Sequence, residues 1–180
     1  MKSLDTIQKI AKAAYVLTRI AFVFCIVGLV LCLVGIVSVL IAGFEPIRIG
    51  SVTLHSIGDA ETDLSLESMM LSMVIASLKC AMGIVLSRMY TAFYRKQLDL
   101  GTPFDFALAN DMKALGIKTI VIPAVVYLIC AIIIEAASMY AIDIESFSLD
   151  NAGSITQGIF FIILSLIVRA SLEERAGNAV

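Results

Sequence analysis

No C-x-x-C pair occurs in the 180 residues and only one histidine, His55, is present, so a zinc centre built from cysteine and histidine is not expected. A glycine-rich phosphate loop, an H-E-x-x-H helix and a strand-turn-helix nucleophile elbow are missing too, and no soluble segment is large enough to hold one. The chain therefore reads as a non-enzyme without a cofactor, and nucleic acid is not expected as a direct partner. Charge is scarce, at 16% of residues, whereas 60% are hydrophobic and the mean hydropathy is +1.00. Soluble domains are roughly 45–50% apolar. This balance excludes an ordinary soluble enzyme.

The apolar residues are gathered into long runs. A bilayer crossing needs roughly 20 of them at about 1.5 Å each. Four stretches meet or approach that length: Ile20 to Phe44, free of charge; Ser68 to Ser87, broken only by Lys79; Leu115 to Ile134, with Lys118 near its start; and the shorter Ile155 to Val168, extended by Gly153 and Ser154 and by a snorkelling Arg169. The first run is too long for the apolar part of a cleaved signal, roughly 7–15 residues, and is expected to stay as an anchor. Cys25, Cys32, Cys80 and Cys130 all fall inside these runs, where a thiol packs as a small apolar group.

Charge sets the expected orientation. Of the 13 basic residues, all but Arg48 and Lys79 belong to the N-terminal segment, to the central connection counted up to Lys118 at the start of the third run, or to the tail. The opposite side carries Glu45, Asp59, Glu61, Asp63, Glu67, Glu135, Asp143, Glu145 and Asp150. The positive-inside rule then makes both termini and the central connection cytoplasmic.

Between the runs, local signals predict smaller elements. Ile7, Ile10, Ala11, Ala14 and Leu17 recur at helical spacing, so the N-terminal stretch lies along the cytoplasmic surface or continues into the first span. Gly50-Ser51 between Ile47-Arg48-Ile49 and Val52-Thr53-Leu54 suits a type II′ hairpin with Ile49 opposite Val52 and Ile47 opposite Leu54. The acidic stretch from Asp59 to Glu67 reads as a solvated loop. In Gly101-Thr102-Pro103-Phe104-Asp105, Thr102 can cap a helix, Pro103 suits its first position, and Asp105 completes an imperfect capping box. Phe104, Leu108, Met112 and Leu115 then share a stripe. This predicts an interfacial helix from Pro103 to Leu115 that turns into the third span near Gly116, with Pro123 able to kink that span.

The order of these features resembles a known family. The shared signals are the exit Tyr90-Thr91-Ala92-Phe93-Tyr94-Arg95-Lys96, the turn Gly101-Thr102-Pro103-Phe104, the step Leu115-Gly116-Ile117 and the closing Leu164-Ser165-Leu166-Ile167-Val168-Arg169. Together they resemble the domain-of-unknown-function 2975 family of bacterial inner-membrane proteins over most of the chain. Where family members close with an aromatic-glycine step and an acidic tail, this chain continues Ala170-Ser171-Leu172-Glu173-Glu174. The family has no established activity. The resemblance implies a bacterial inner-membrane location and work beside a small helix-turn-helix regulator.

Lys79 is the sharpest single residue. A cation near the bilayer midplane costs roughly 2.5–3.5 kcal/mol on insertion scales and usually has a partner. At 100° per residue, Ser72, Ala76, Lys79, Cys80, Gly83 and Ser87 share one face, so Lys79 is expected to face protein, with Tyr127, Glu135, Ser138 and Gln157 as possible partners. One reading is a buried amine that specifies packing; the other is an intramembrane anion or solute site, or a contact with another membrane protein.

The expectation is an all-α integral membrane protein in one domain: a four-transmembrane-helix bundle spanning about 20–44, 68–88, 115–135 and 154–169. It carries a small extracytoplasmic β-hairpin and an interfacial cytoplasmic helix. Its expected role is accessory or regulatory, through a membrane or cytoplasmic protein partner or a homo-oligomer, with Arg95, Lys96, Thr102, Pro103 and Phe104 as the partner surface. The alternative is a small oligomeric transporter or channel that uses Lys79.

Overall fold

A computed structural model describes residues 2–42, 48–49, 52–53, 66–101, 105–139 and 152–177. Four helices dominate: α1 (Lys2–Ala42), α2 (Leu66–Leu100), α3 (Phe106–Ser138) and α4 (Ala152–Gly177). Each contains a stretch long and apolar enough to cross a membrane, at Thr6–Leu40, Ser68–Leu100, Phe106–Ser138 and Gly153–Glu174. Two short strands, β1 (Arg48–Ile49) and β2 (Val52–Thr53), pair antiparallel with Ile49 opposite Val52. Gly50-Ser51, Ile47 and Leu54 lie outside the described residues, as does the acidic stretch from Asp59 to Asp63.

The helices outrun a lipid core. At about 1.5 Å per residue, the 41 residues of α1 and 35 of α2 extend roughly 60 and 52 Å, against about 30 Å of hydrocarbon. The N-terminal stretch is therefore not a separate element on a surface. It runs straight into the first apolar run, because nothing between Ala11 and Ile20 breaks the backbone ladder. At its far end α2 stops where Gly101 adopts φ 67°, the left-handed turn that glycine enters without a Cβ penalty.

Two expectations for α3 are corrected. Its N-cap is Asp105, not Thr102: the backbone there is extended, its carboxylate accepts from the Ala107 N–H at 2.7 Å, and its carbonyl accepts from Ala109 N–H at 2.9 Å. Aspartate satisfies these orphan donors as well as threonine would, so the helix begins after Pro103; Thr102, Pro103 and Phe104 themselves lie outside the described residues. Nor is there a separate interfacial helix. Phe106 to Ser138 is one helix, passing through Gly116 without a turn and through Pro123 without ending. A glycine inside a helix costs only about 1 kcal/mol, and here its missing side chain is used for packing.

That packing is antiparallel throughout. Between α1 and α2 the paired positions are Gln8 with Gly101, Thr18 with Thr91, Cys25 with Gly83, Gly28 with Cys80 and Gly35 with Met73. The register slides by one residue at most over the whole seam. Thiols fill glycine hollows: a Cβ on Gly83 would stand 2.6 Å from Cys25 Sγ, and one on Gly28 3.1 Å from Cys80 Sγ. Between α3 and α4 the backbones themselves approach. A Cβ on Gly116 would meet the Gly158 carbonyl at 2.7 Å, and one on Gly158 the Gly116 carbonyl at 2.8 Å. Small residues at such crossings are how membrane helices gain contact.

The core sits where α2, α3 and α4 meet. Tyr90 and Phe93 of α2, Leu108 and Leu115 of α3 and Phe161 of α4 form one buried cluster. The Phe161 ring lies 5.8 Å from Tyr90 and 6.2 Å from Phe93, centroid to centroid. The buried hydroxyls are satisfied there: Tyr90 and Thr119 share a 2.8 Å hydrogen bond, and Ser165 donates to the Ala109 carbonyl at 2.7 Å.

Candidate functional site

The residues expected to gather around Lys79 are not all brought together. Lys79 is exposed on α2, and the antiparallel register set by Tyr90 against Thr119 puts it level with Cys130 of α3. Half-buried Tyr127 is about one turn from Cys130, at roughly 4.5 Å of helix rise. Glu135 and Ser138, exposed, lie about 7.5 and 12 Å farther along α3 in the other direction. Gln157 belongs elsewhere. It precedes Gly158, which crosses α3 at Gly116, about 21 Å of helix rise from Cys130. Only Tyr127 shares the depth of Lys79.

The face expected to bury Lys79 divides. Cys80 and Gly83 meet α1 and Ser87 is buried, whereas Ser72 and Lys79 are exposed. The reason is geometric: α1 occupies the small-residue hollow at Gly83, and a lysine one turn away falls beside that contact rather than inside it.

The other expected surface is better built. Arg95 and Lys96 are both exposed on the last turns of α2. Lys96 is ion-paired with Asp111 of α3, and Gln8 of α1 donates to the Gly101 carbonyl at 2.9 Å. Three helices are thus tied at the basic end. An exposed ion pair of this kind contributes little stability, but it sets the spacing between helices.

A feature of α4 escaped the sequence pattern. Ile159, Phe160, Ile163, Leu166 and Ile167 are all exposed, each by about half, and recur on one stripe. Their depth is unusual. Because Phe161 rests on Tyr90 and Phe93, and Ser165 on Ala109, the stripe lies level with the part of α2 that holds Arg88, Arg95 and Lys96 and the part of α3 that holds Asp111 and Lys113. The charge-free run of α1 pairs instead with α2 before Ser87, through Cys25 on Gly83 and Gly28 on Cys80. The apolar run of α4 is displaced toward the basic end relative to that of α1. One slab of hydrocarbon cannot solvate the stripe and spare those charges.

Among the described residues no three of His, Cys, Asp and Glu cluster as metal ligands. No family model matches the chain, and neither a curated protein nor a solved structure matches it.

Proposed function

We propose that this chain is a non-enzymatic accessory or regulatory protein of a bacterial inner membrane, a member of the domain-of-unknown-function 2975 family, that acts by binding another protein. In this reading the basic ends of the helices, both termini and the central connection face the cytoplasm, and the paired strands form a small hairpin on the far side. The gathering of basic residues at one end supports that orientation.

The displaced apolar stripe of α4 is the observation that carries the proposal. An apolar stripe beside charged neighbours needs a cover other than lipid, and a partner helix or domain docked there would bury Phe160, Ile163 and Ile167. The test uses the full chain, tagged at its C-terminus, extracted from native membranes in mild detergent and weighed intact. A second protein at fixed stoichiometry is expected, and Phe160→Ser with Ile167→Ser should release it without altering the chain's own melting. A partner that survives both substitutions would defeat the assignment of this surface.

A second reading, a small oligomeric transporter or channel for anionic solutes, is supported by one observation. Lys79 is exposed midway along its apolar run, so apposed copies could enclose it. Recovery of the chain alone, as a defined oligomer whose anion flux is lost in Lys79→Met, would favour this reading.

A further inference from the structure

We propose that the groove between α1 and α2 at the basic end is a binding site for the phosphate of an anionic phospholipid. Its floor and walls come from Tyr15, Arg19 and Phe22 on α1 and from Arg88, Thr91 and Arg95 on α2, around a space of about 460 Å³. The sequence shows cations at this end of the chain; only the helix register shows that they face one another.

Depth is the first argument. Arg19 is the last residue before the charge-free run that begins at Ile20, and Arg88 is the first after the run that ends at Ser87. With Thr18 against Thr91 and Cys25 against Gly83, the antiparallel register sets these two arginines at one level. That level is the edge of the apolar slab, where lipid phosphates lie. Phe22, almost one turn toward the apolar side of Arg19, gives the groove an apolar end for the glycerol and first methylenes of a lipid.

Charge is the second. Three guanidinium groups border the groove, and Asp99 is the carboxylate among its lining residues. Lys96, which also borders it, is engaged by Asp111. Like charges on facing helices repel, at a cost that an anion between them would remove. Guanidinium groups bind phosphate oxygens with two parallel N–H donors. Arg19 is held beside the groove by Tyr15, whose ring centroid lies 5.6 Å from its guanidinium carbon. Thr91 donates to the Ser87 carbonyl at 2.7 Å, and with Thr18 at 3.3 Å it ties the floor.

The site rests on α1 and α2 spanning a membrane and is independent of any partner on α4. It is tested by purifying the whole chain in mild detergent and counting retained lipids by native mass spectrometry after adding phosphatidylglycerol or phosphatidylcholine. The expected result is one phosphatidylglycerol held in preference to phosphatidylcholine, with affinity falling about tenfold in Arg19→Gln and again in Arg19→Gln with Arg88→Gln. Lys113→Gln with Lys118→Gln removes the same charge from exposed positions outside the groove and should leave the count unchanged. Equal losses in the two double variants would reduce the effect to diffuse attraction and overturn the proposal. Displacement of the lipid by an equal concentration of inorganic phosphate would also overturn it, by making the ligand a soluble anion. Melting curves of the lipid-free variants, expected to match the parent, separate lost binding from lost fold.

Discussion

The seam between α1 and α2 and the cluster where α2, α3 and α4 meet are held together by different physics. Along the seam the contacts are small: Cys25 on Gly83, Cys80 on Gly28, Met73 on Gly35. In the cluster they are large, with Tyr90, Phe93, Leu108, Leu115 and Phe161 each at most 9% exposed. Inside a bilayer an apolar side chain gains nothing by leaving lipid for protein, so helices associate through close fit, which needs thiols and glycines. Toward the headgroups and water, burial of apolar area drives association, and aromatic residues supply most of it.

The largest expected effect comes from removing an aromatic ring from the cluster. Phe161→Ala should cost about 3–5 kcal/mol and lower the melting midpoint in detergent by roughly 10 °C. A fall of under about 2 °C would mean that the cluster, like the seam, depends on fit alone. Next comes the backbone crossing of α3 and α4. Gly158→Val forces its side chain against Ile120 and the Gly116 carbonyl, an overpacking worth about 2–3 kcal/mol by the same melt.

The seam itself can be probed with a compensating pair. Gly83→Ala should cost about 1–2 kcal/mol because its methyl meets the Cys25 thiol, and Cys25→Ala in the same chain should recover most of that. Strict additivity of the two changes would refute a steric lock there. Tyr90→Phe is expected to cost about 1 kcal/mol: Thr119 keeps its hydrogen bond to the Leu115 carbonyl at 2.8 Å, so no buried hydroxyl is orphaned. Smallest of all is the Lys96 and Asp111 pair, for which a double-mutant cycle should return about 0.2–1 kcal/mol, shrinking further as salt is added.

Much of the helix inventory was legible before any coordinates. Run length alone located the four apolar segments, and helical spacing before Ile20 allowed for the continuous α1. Local turn chemistry was less reliable. Thr102 and Asp105 are both good caps three residues apart, so the local pattern allows either, and the structure uses Asp105. Gly116 looked like a bend and is a crossing point, because its partner Gly158 is 42 positions away. For the candidate site, Lys79 was expected to face protein and is exposed. The small face that seemed built for it is taken at Cys80 and Gly83 by α1.

Composition and the placement of basic residues determined that this chain is built from long apolar helices with one basic end. Those properties are additive along the chain and need no partner to be read. Which faces meet, how far α4 is displaced, and that Arg19 opposes Arg88 were decided only by the tertiary structure. In a water-soluble helix the contrast between polar and apolar faces announces the buried side. In these helices nearly every face is apolar, so the pattern carries no such contrast, and the choice falls to small differences in shape that appear only when two surfaces are fitted together.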